Sequence, residues 1–244
     1  VIARRRFQVG FLASRSDCLD QRGAPVSLRP VRSIVHTYRE RAPVTNPAAP
    51  LVWPAEGLTR VPNQIYADPA VYAGEKDKIF HGPVWQFVGL DAEIPDPGDF
   101  KTSFIGETPV IVVRDRDGGV NVLENRCAHR GALVCLRERG NARSLNCVYH
   151  SWNYSLKGDL IGVAFERGVN GLGGMPPGFD KSRHGLRKLR VERLNGLIFA
   201  TFSADTRPLA EYLGPEILER VRRVTAKPLR PLGTSRQLLH NNWK

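Results

Sequence analysis

Short runs of β-branched and aromatic residues, separated by glycine, proline and aspartate, fill the middle of the chain. Such runs are typical of β-strands bounded by turns. Asp117-Gly118-Gly119 and Asn195-Gly196 each lie between two runs and predict hairpin turns. The predicted strands are 84–90, 102–105, 110–114, 120–125, short strands near 144–147 and 153–155, and the hairpin 186–193 with 197–202.

Two segments with helical features flank these strands. Asp68 and Pro69 predict the start of a helix over 69–81, because aspartate caps helices and proline fits the first helical position. Between 208 and 224, apolar residues recur at helical spacing and predict a second helix with one apolar face. The residues of this face are Leu209, Leu213, Ile217, Leu218 and Val221. Residues 162–183 are dense in glycine and proline and predict a long loop that covers a surface or contacts a partner.

Charge is distributed unevenly along the chain. The net charge is +12, and residues 1–50, with nine arginines and three acidic residues, contribute +6. This segment lacks helical or strand periodicity, so we expect a disordered basic extension. Its basic residues are not interleaved with aromatic ones, which disfavours nucleic-acid binding. The remaining +6 would help to steer an acidic partner toward the chain.

The hydropathy and cysteine content restrict the compartment. No apolar run approaches 18 residues, so no membrane helix is predicted. Two of the four cysteines are candidate metal ligands, which leaves no disulfide framework. Cys135 is expected to be a buried free thiol, and Cys18 has no evident partner. These features favour the reducing cytoplasm.

The pattern with the clearest chemistry is Cys127-x-His129, seventeen residues, then Cys147-x-x-His150. Two thiols and two imidazoles, supplied as one Cys and one His from each of two loops, are the ligand set of a Rieske [2Fe–2S] cluster. Gly131 is expected where a tight loop needs a residue without Cβ. Trp152 would shield the cluster, pack in the core, or do both.

A structural zinc ion is the main alternative, since zinc also takes Cys2His2 ligands. Zinc sites usually pair Cys with Cys and His with His along the chain, whereas each loop here supplies one of each. Chance placement of ordinary buried thiols is the other alternative. The spacing favours the two-iron cluster over both.

Segments 124–131 and 147–154 resemble the large (alpha) subunit of Rieske non-haem iron aromatic-ring-hydroxylating oxygenases. The resemblance extends from about Leu51 to the last residue. Within it, 168–176 is similar to members that act on salicylate- or anthranilate-type acids. The resemblance implies a mainly β fold: an antiparallel Rieske-type β-sandwich with cluster-binding loops at one tip and flanking helices. It also implies an electron donor, ferredoxin or reductase, and association with other oxygenase subunits.

The resemblance further suggests how the chain is organised. We expect the extension at 1–50, a leading segment with a helix at 51–82, the Rieske domain at 83–203, and a helix with the start of a catalytic domain at 204–244. In the family, that domain binds a mononuclear Fe(II) through two His and a carboxylate. The remaining histidines are scattered singly, so we assign no catalytic residue and expect this iron outside the chain; they are His36, His81, His184 and His240.

The predicted function is therefore electron transfer from a ferredoxin or reductase toward that mononuclear iron. Two alternatives stay open at this point. One is a stand-alone carrier similar to Rieske ferredoxins, and the other is a non-functional fragment of an oxygenase gene.

Overall fold

The computed structural model describes residues 51–55, 57–170, 172–233 and 243–244. The predictions for the basic extension at 1–50, and those for Cys18, His36 and His240, lie outside these residues.

The described strands form two antiparallel sheets, which confirms the predicted mainly β fold. One sheet has seven strands in the order β1-β10-β9-β4-β3-β2-β5, and the other has three in the order β6-β7-β8. The strands are β1 Gln86–Leu90, β2 Asp99–Ile105, β3 Thr108–Arg114, β4 Val120–Glu124, β5 Arg139–Asn141, β6 Leu145–Asn146, β7 Asn153–Tyr154, β8 Leu160–Gly162, β9 Lys188–Leu194 and β10 Leu197–Thr201.

Strand β3 is buried on both faces. Val110 and Val112 pack into a core with residues of β1, β4 and β10. Ile111 and Val113 point the other way and join a second core that contains Cys127 and Cys147. Because both faces are covered, the strand is a continuous apolar run without alternation. The large sheet thus supports the two candidate ligand loops on one of its faces.

Both predicted hairpin turns are present. Asn195 and Gly196 have φ values of +48° and +84°, the left-handed conformations that a two-residue hairpin turn requires. At the other turn, the buried Asp115 side chain accepts hydrogen bonds from the backbone N–H groups of Asp117 and Gly119, both at 2.9 Å.

The helix predicted over 69–81 is confirmed as α2 (Pro69–Glu75), which continues as a π-helical turn over Lys76–Phe80. Asp68 caps it as expected, because its Oδ1 accepts from the backbone N–H of Ala70 at 2.7 Å. A short helix, α1 (Gln64–Ala67), precedes it. The described 3-10 turns are Gly57–Thr59, Asp91–Glu93 and Lys181–His184.

The second predicted helix differs from expectation. It is α3 (Leu209–Val224), and Gly214 interrupts it with a non-helical φ of +71° directly before Pro215. Proline disfavours helical geometry in the preceding residue and lacks the N–H that a continuous helix needs. Of the predicted apolar face, Leu209 is buried, whereas the Ile217 side chain is 46% exposed.

The segment predicted as a long loop lies between β8 and the 3-10 turn at Lys181–His184. Its described residues form turns, with one isolated bridge between Val169 and Leu172. The Lys181 ammonium donates to the Glu166 carboxylate at 2.9 Å and ties the two ends of the loop together. None of the helices in the described part of the chain has both the length and the apolar character of a membrane span.

Candidate metal centre

The two loops that carry the Cys-His pairs close by the same backbone hydrogen bonds. In the first loop, the Cys127 carbonyl accepts from Gly131 N–H, and Cys127 N–H donates to the Ala132 carbonyl, both at 2.8 Å. In the second, the Cys147 carbonyl accepts from Ser151 N–H at 2.9 Å, and Cys147 N–H donates to the Trp152 carbonyl at 2.8 Å. Each cysteine is therefore fixed at the start of a six-residue loop.

The fifth residue of each loop adopts a left-handed conformation. Gly131 has a φ of +70°, and Ser151 has a φ of +54°. A Cβ at Gly131 would have open space around it, so the glycine answers a backbone requirement and not crowding. The left-handed backbone favours glycine here, but Ser151 shows that a residue with a Cβ also adopts this conformation in the equivalent position.

The two thiols lie together in the core. Cys127 and Cys147 are 4% and 2% exposed, and both burial and the neighbouring Cys127 thiol contribute to the raised pKa of Cys147. The Tyr154 hydroxyl lies 3.1 Å from Cys127 Sγ and accepts from Ala128 N–H at 3.1 Å. Because that N–H fills an acceptor position on the hydroxyl, its O–H is free to donate to the sulfur.

Backbone groups surround the second sulfur. The backbone N–H groups of Tyr149 and His150 face Cys147 Sγ and act to lower the pKa of its thiol. Burial nevertheless raises the pKa of the Cys147 thiol above its usual value. A thiolate at this position therefore needs compensating positive charge, which a bound metal supplies.

The two imidazoles are half-buried and lie side by side. The ring centroids of His129 and His150 are 4.7 Å apart. Trp152, which is 4% exposed, stacks on His129 with centroids 4.8 Å apart and planes 8° from parallel. Burial, His150 and Arg130 together lower the pKa of His129, which favours the neutral form that ligates metals.

An open cavity of about 480 Å³ adjoins the two rings. We call it the imidazole cavity; besides the two histidines, its lining includes Tyr149, Trp152, Phe165 and Met175. The chain therefore has a buried sulfur side and a more open imidazole side within one small region. Any redox group held between them would be accessible through its imidazoles.

These residues fit a two-iron cluster. Two buried cysteines and two histidines, one of each from either loop, are the donor set of a Rieske [2Fe–2S] cluster, in which imidazoles replace thiolates on one of the two irons. The Tyr154 hydroxyl and the backbone N–H groups of the loops also face the cysteine sulfurs, and hydrogen bonds of this kind tune the reduction potential of a metal centre.

Three residues near the site were missed at the sequence level. Tyr154 reaches Cys127 across the small sheet, and no local spacing indicates this contact. Asn125 is 2% exposed, and its side chain accepts from the N–H groups of Val134 and Cys135 and donates to the Cys135 carbonyl. His184, predicted to stand alone, contacts the edge of Trp152 with centroids 5.8 Å apart.

The other single residues agree with expectation in part. His81 pairs with the Thr108 hydroxyl at 2.9 Å, remote from the ligand loops. Cys135 is a free thiol as predicted, but it is half-buried and not fully buried. Burial raises its pKa to about 11, so it stays protonated at neutral pH.

Residues 84–172 match the family model of the Rieske [2Fe–2S] domain. The chain is 50% identical over 197 residues to the anthranilate 1,2-dioxygenase large subunit of Burkholderia cepacia, covering 81% of this chain and 47% of that protein. It is 52% identical over 192 residues to the terephthalate 1,2-dioxygenase terminal oxygenase component subunit alpha 2 of Comamonas sp., covering 79% and 46%.

The chain carries a Rieske [2Fe–2S] domain and is similar, over most of its length, to the large subunits of aromatic-ring dioxygenases. Its fold agrees, since naphthalene 1,2-dioxygenase from Rhodococcus sp. superposes with a TM-score of 0.60 at 34% identity, over 67% of this chain and 36% of that one. The Rieske domain identifies the cofactor as a [2Fe–2S] cluster. The chain spans about half the length of the curated relatives that it matches.

Proposed function

We propose that Cys127, His129, Cys147 and His150 hold one [2Fe–2S] cluster, and that the chain relays electrons toward the mononuclear iron of an aromatic-ring oxygenase. The observation that carries this proposal is the polarity of the site. Two thiols are buried at 4% and 2% exposure, and two half-buried imidazoles, with ring centroids 4.7 Å apart, line an open cavity.

A [2Fe–2S] cluster bound here would accept and release one electron at a time. The residues around it have separate tasks in this proposal. The cysteines anchor the cluster within the core, and the Tyr154 hydroxyl and the loop N–H groups donate to their sulfurs. Trp152 holds the His129 ring in one orientation. The imidazoles line the imidazole cavity and provide the exit toward an acceptor seated there.

The setting of this function is also a proposal. The electron donor is a ferredoxin or a reductase, and the chain works with other oxygenase subunits in the cytoplasm. The mononuclear Fe(II) is bound by residues other than those assigned to the cluster. The matched relatives are named for anthranilate and terephthalate, which are aromatic carboxylates. We extend that substrate class to the oxygenase in which this chain takes part.

The domain assignment supports the oxygenase role over the alternative of a stand-alone carrier. We assign 83–203 to the Rieske domain, with 51–82 leading into it and 204–244 following it. The identity to oxygenase large subunits covers 197 residues, well beyond the 84–172 that match the Rieske domain model. A stand-alone carrier needs no such flanking similarity.

Purification of the full chain tests the cofactor directly. We expect a coloured protein with about two iron and two acid-labile sulfide atoms per chain, and the electron paramagnetic resonance signal of a mixed Cys/His cluster after reduction. A colourless preparation that contains zinc would overturn the proposal.

Replacement of His150 by cysteine tests the ligand assignment. If the cluster survives, the added thiolate charge lowers its reduction potential toward that of all-cysteine clusters, on the order of hundreds of millivolts. Protein-film voltammetry measures the change. His184→Cys is the matched control, because His184 lies near Trp152 and is not assigned as a ligand. An equal shift in both variants would reject the assignment of His150.

A further inference from the structure

A second depression lies on the other side of the second ligand loop. It is a groove of about 280 Å³ whose walls include Cys135, Leu136, Arg137 and Val148. We call it the Leu136 groove. Val148 directly follows Cys147, so the groove adjoins the buried sulfur side of the site, whereas Tyr149 and His150 line the imidazole cavity.

The rim of the Leu136 groove is apolar and exposed. Leu136 and Val148, which both line the groove, are 65% and 66% exposed. Leucine and valine at such exposure beside a groove are typical of a surface that a partner covers.

The backbone that presents these side chains is fixed. The buried Asn125 side chain makes three hydrogen bonds to Val134 and Cys135, at 2.8 to 2.9 Å. Further along, β5 pairs with the edge of β2. The exposed Leu136 therefore belongs to an ordered platform, and binding there costs little conformational entropy.

The charge of this surface is positive. Residues 128–148 contain four arginines and one glutamate. Arg139 pairs with Glu93 at 3.7 Å and Arg130 acts on His129, so Arg137 and Arg143 carry the positive charge at the groove. Arg137 lines the groove, and Arg143 lies between Ala142 and Ser144, which also line it. Among the described residues, no carboxylate pairs with either arginine, so both are available to an acidic partner.

We propose that the Leu136 groove is the docking face for an acidic iron–sulfur electron donor, and this rests on the proposed electron-transfer function. The donor is oxidised by one electron and the cluster of this chain is reduced by one. A second copy of the chain fits the groove less well, because its net charge of +12 would oppose the same arginines. Electrons thus enter beside Cys147 and leave through the imidazole cavity.

The test uses the full chain and an acidic plant-type [2Fe–2S] ferredoxin as the probe. Cluster content is measured first, because a chain without a cluster contradicts the proposed function and not the docking face. Both proteins are then mixed in the oxidised state, and the dissociation constant is measured by calorimetry at low ionic strength. Arg137→Gln with Arg143→Gln is compared with Arg116→Gln and Arg222→Gln, which removes the same charge from the hairpin turn and from α3.

We expect the groove variant to weaken binding about ten-fold and the control variant to leave it unchanged. The difference should vanish at high salt. The second-order rate of cluster reduction by reduced ferredoxin should fall by a similar factor, while reduction by dithionite is unaffected. Leu136→Ser should weaken binding at all salt concentrations, because it removes apolar contact.

Three results would overturn the docking face. The first is absence of ferredoxin binding to a wild-type chain that carries its cluster. The second is an equal effect of the two arginine pairs, which would show a response to net charge alone. The third is a wild-type dimer in sedimentation that Leu136→Ser dissociates without changing ferredoxin binding, since a second copy would then occupy the groove.

Discussion

The two ligand loops share one backbone design and differ in how their sulfurs are supported. Both close with the same pair of hydrogen bonds, and both place their fifth residue in a left-handed conformation. Cys127 Sγ, however, faces a side chain, the Tyr154 hydroxyl at 3.1 Å. Cys147 Sγ instead faces backbone N–H groups.

This difference separates what a loop needs to hold a metal group from what tunes that group. Backbone donors come with the loop fold and cannot be removed by substitution without breaking the loop. A hydroxyl donor is lost when a single oxygen atom is deleted, and the loop itself stays intact. In the first loop, therefore, a substitution can change the hydrogen bonding to the sulfur without changing the loop structure.

The largest effect should come from removal of either sulfur, and it should be the same for both loops. We expect Cys127→Ser and Cys147→Ser each to abolish the cluster, because each thiolate anchors it in the core. Iron and sulfide content and visible absorbance measure this. Cys135→Ser is the control, since that thiol is half-buried and not assigned as a ligand. Loss of the cluster in the control would assign Cys135 a role that the loops do not predict.

An intermediate effect should reveal the asymmetry. The hydrogen bond from the Tyr154 hydroxyl to Cys127 Sγ stabilises the more negative, reduced state of the cluster, and Tyr154→Phe removes it. A hydrogen bond worth about 1 kcal/mol corresponds to about 40 mV, so the potential should fall by that amount. Voltammetry on the cluster-loaded chain gives the value.

Tyr149→Phe provides the matched control in the second loop. Tyr149 supports Cys147 through its backbone, and phenylalanine keeps the ring that packs 3.9 Å from His150. Its potential should stay at the wild-type value. A larger shift in Tyr149→Phe than in Tyr154→Phe would reverse the comparison between the loops.

The two kinds of support also differ in how far the sequence predicts them. The four candidate ligands follow from spacing, because each Cys-His pair lies within one short loop. Tyr154 contacts a sulfur 27 positions away, and the contact depends on how β7 packs, which no local pattern encodes. Asn125 lies within the segment 124–131 that resembles the family, yet its hydrogen bonds to Val134 and Cys135 are visible only in three dimensions.

The helices teach a similar lesson. The Asp68 cap was predictable, because the capping carboxylate and the backbone N–H that donates to it are two residues apart. The break in α3 also had a local signal, since Gly214 and Pro215 disfavour a continuous helix. The exposure of Ile217 had none, because periodicity identifies an apolar face and not what covers it.

The smallest effect should appear at the fifth loop position. Gly131→Ala places a Cβ in a left-handed conformation that costs roughly 1–2 kcal/mol, offset by about 0.4–1 kcal/mol through the unfolded chain. The net loss of about 1 kcal/mol should lower the apparent Tm by about 3 °C for a chain of this size. Ser151→Gly removes such strain but adds unfolded-state freedom, so its Tm should change little. Gly118→Ala, at a φ of +83° and with open space around the added Cβ, is the control remote from the ligands. Circular dichroism at one fixed scan rate gives the apparent Tm of all three variants. An equal drop in the Tm of Gly131→Ala and Ser151→Gly would contradict the expected difference between the two fifth loop positions.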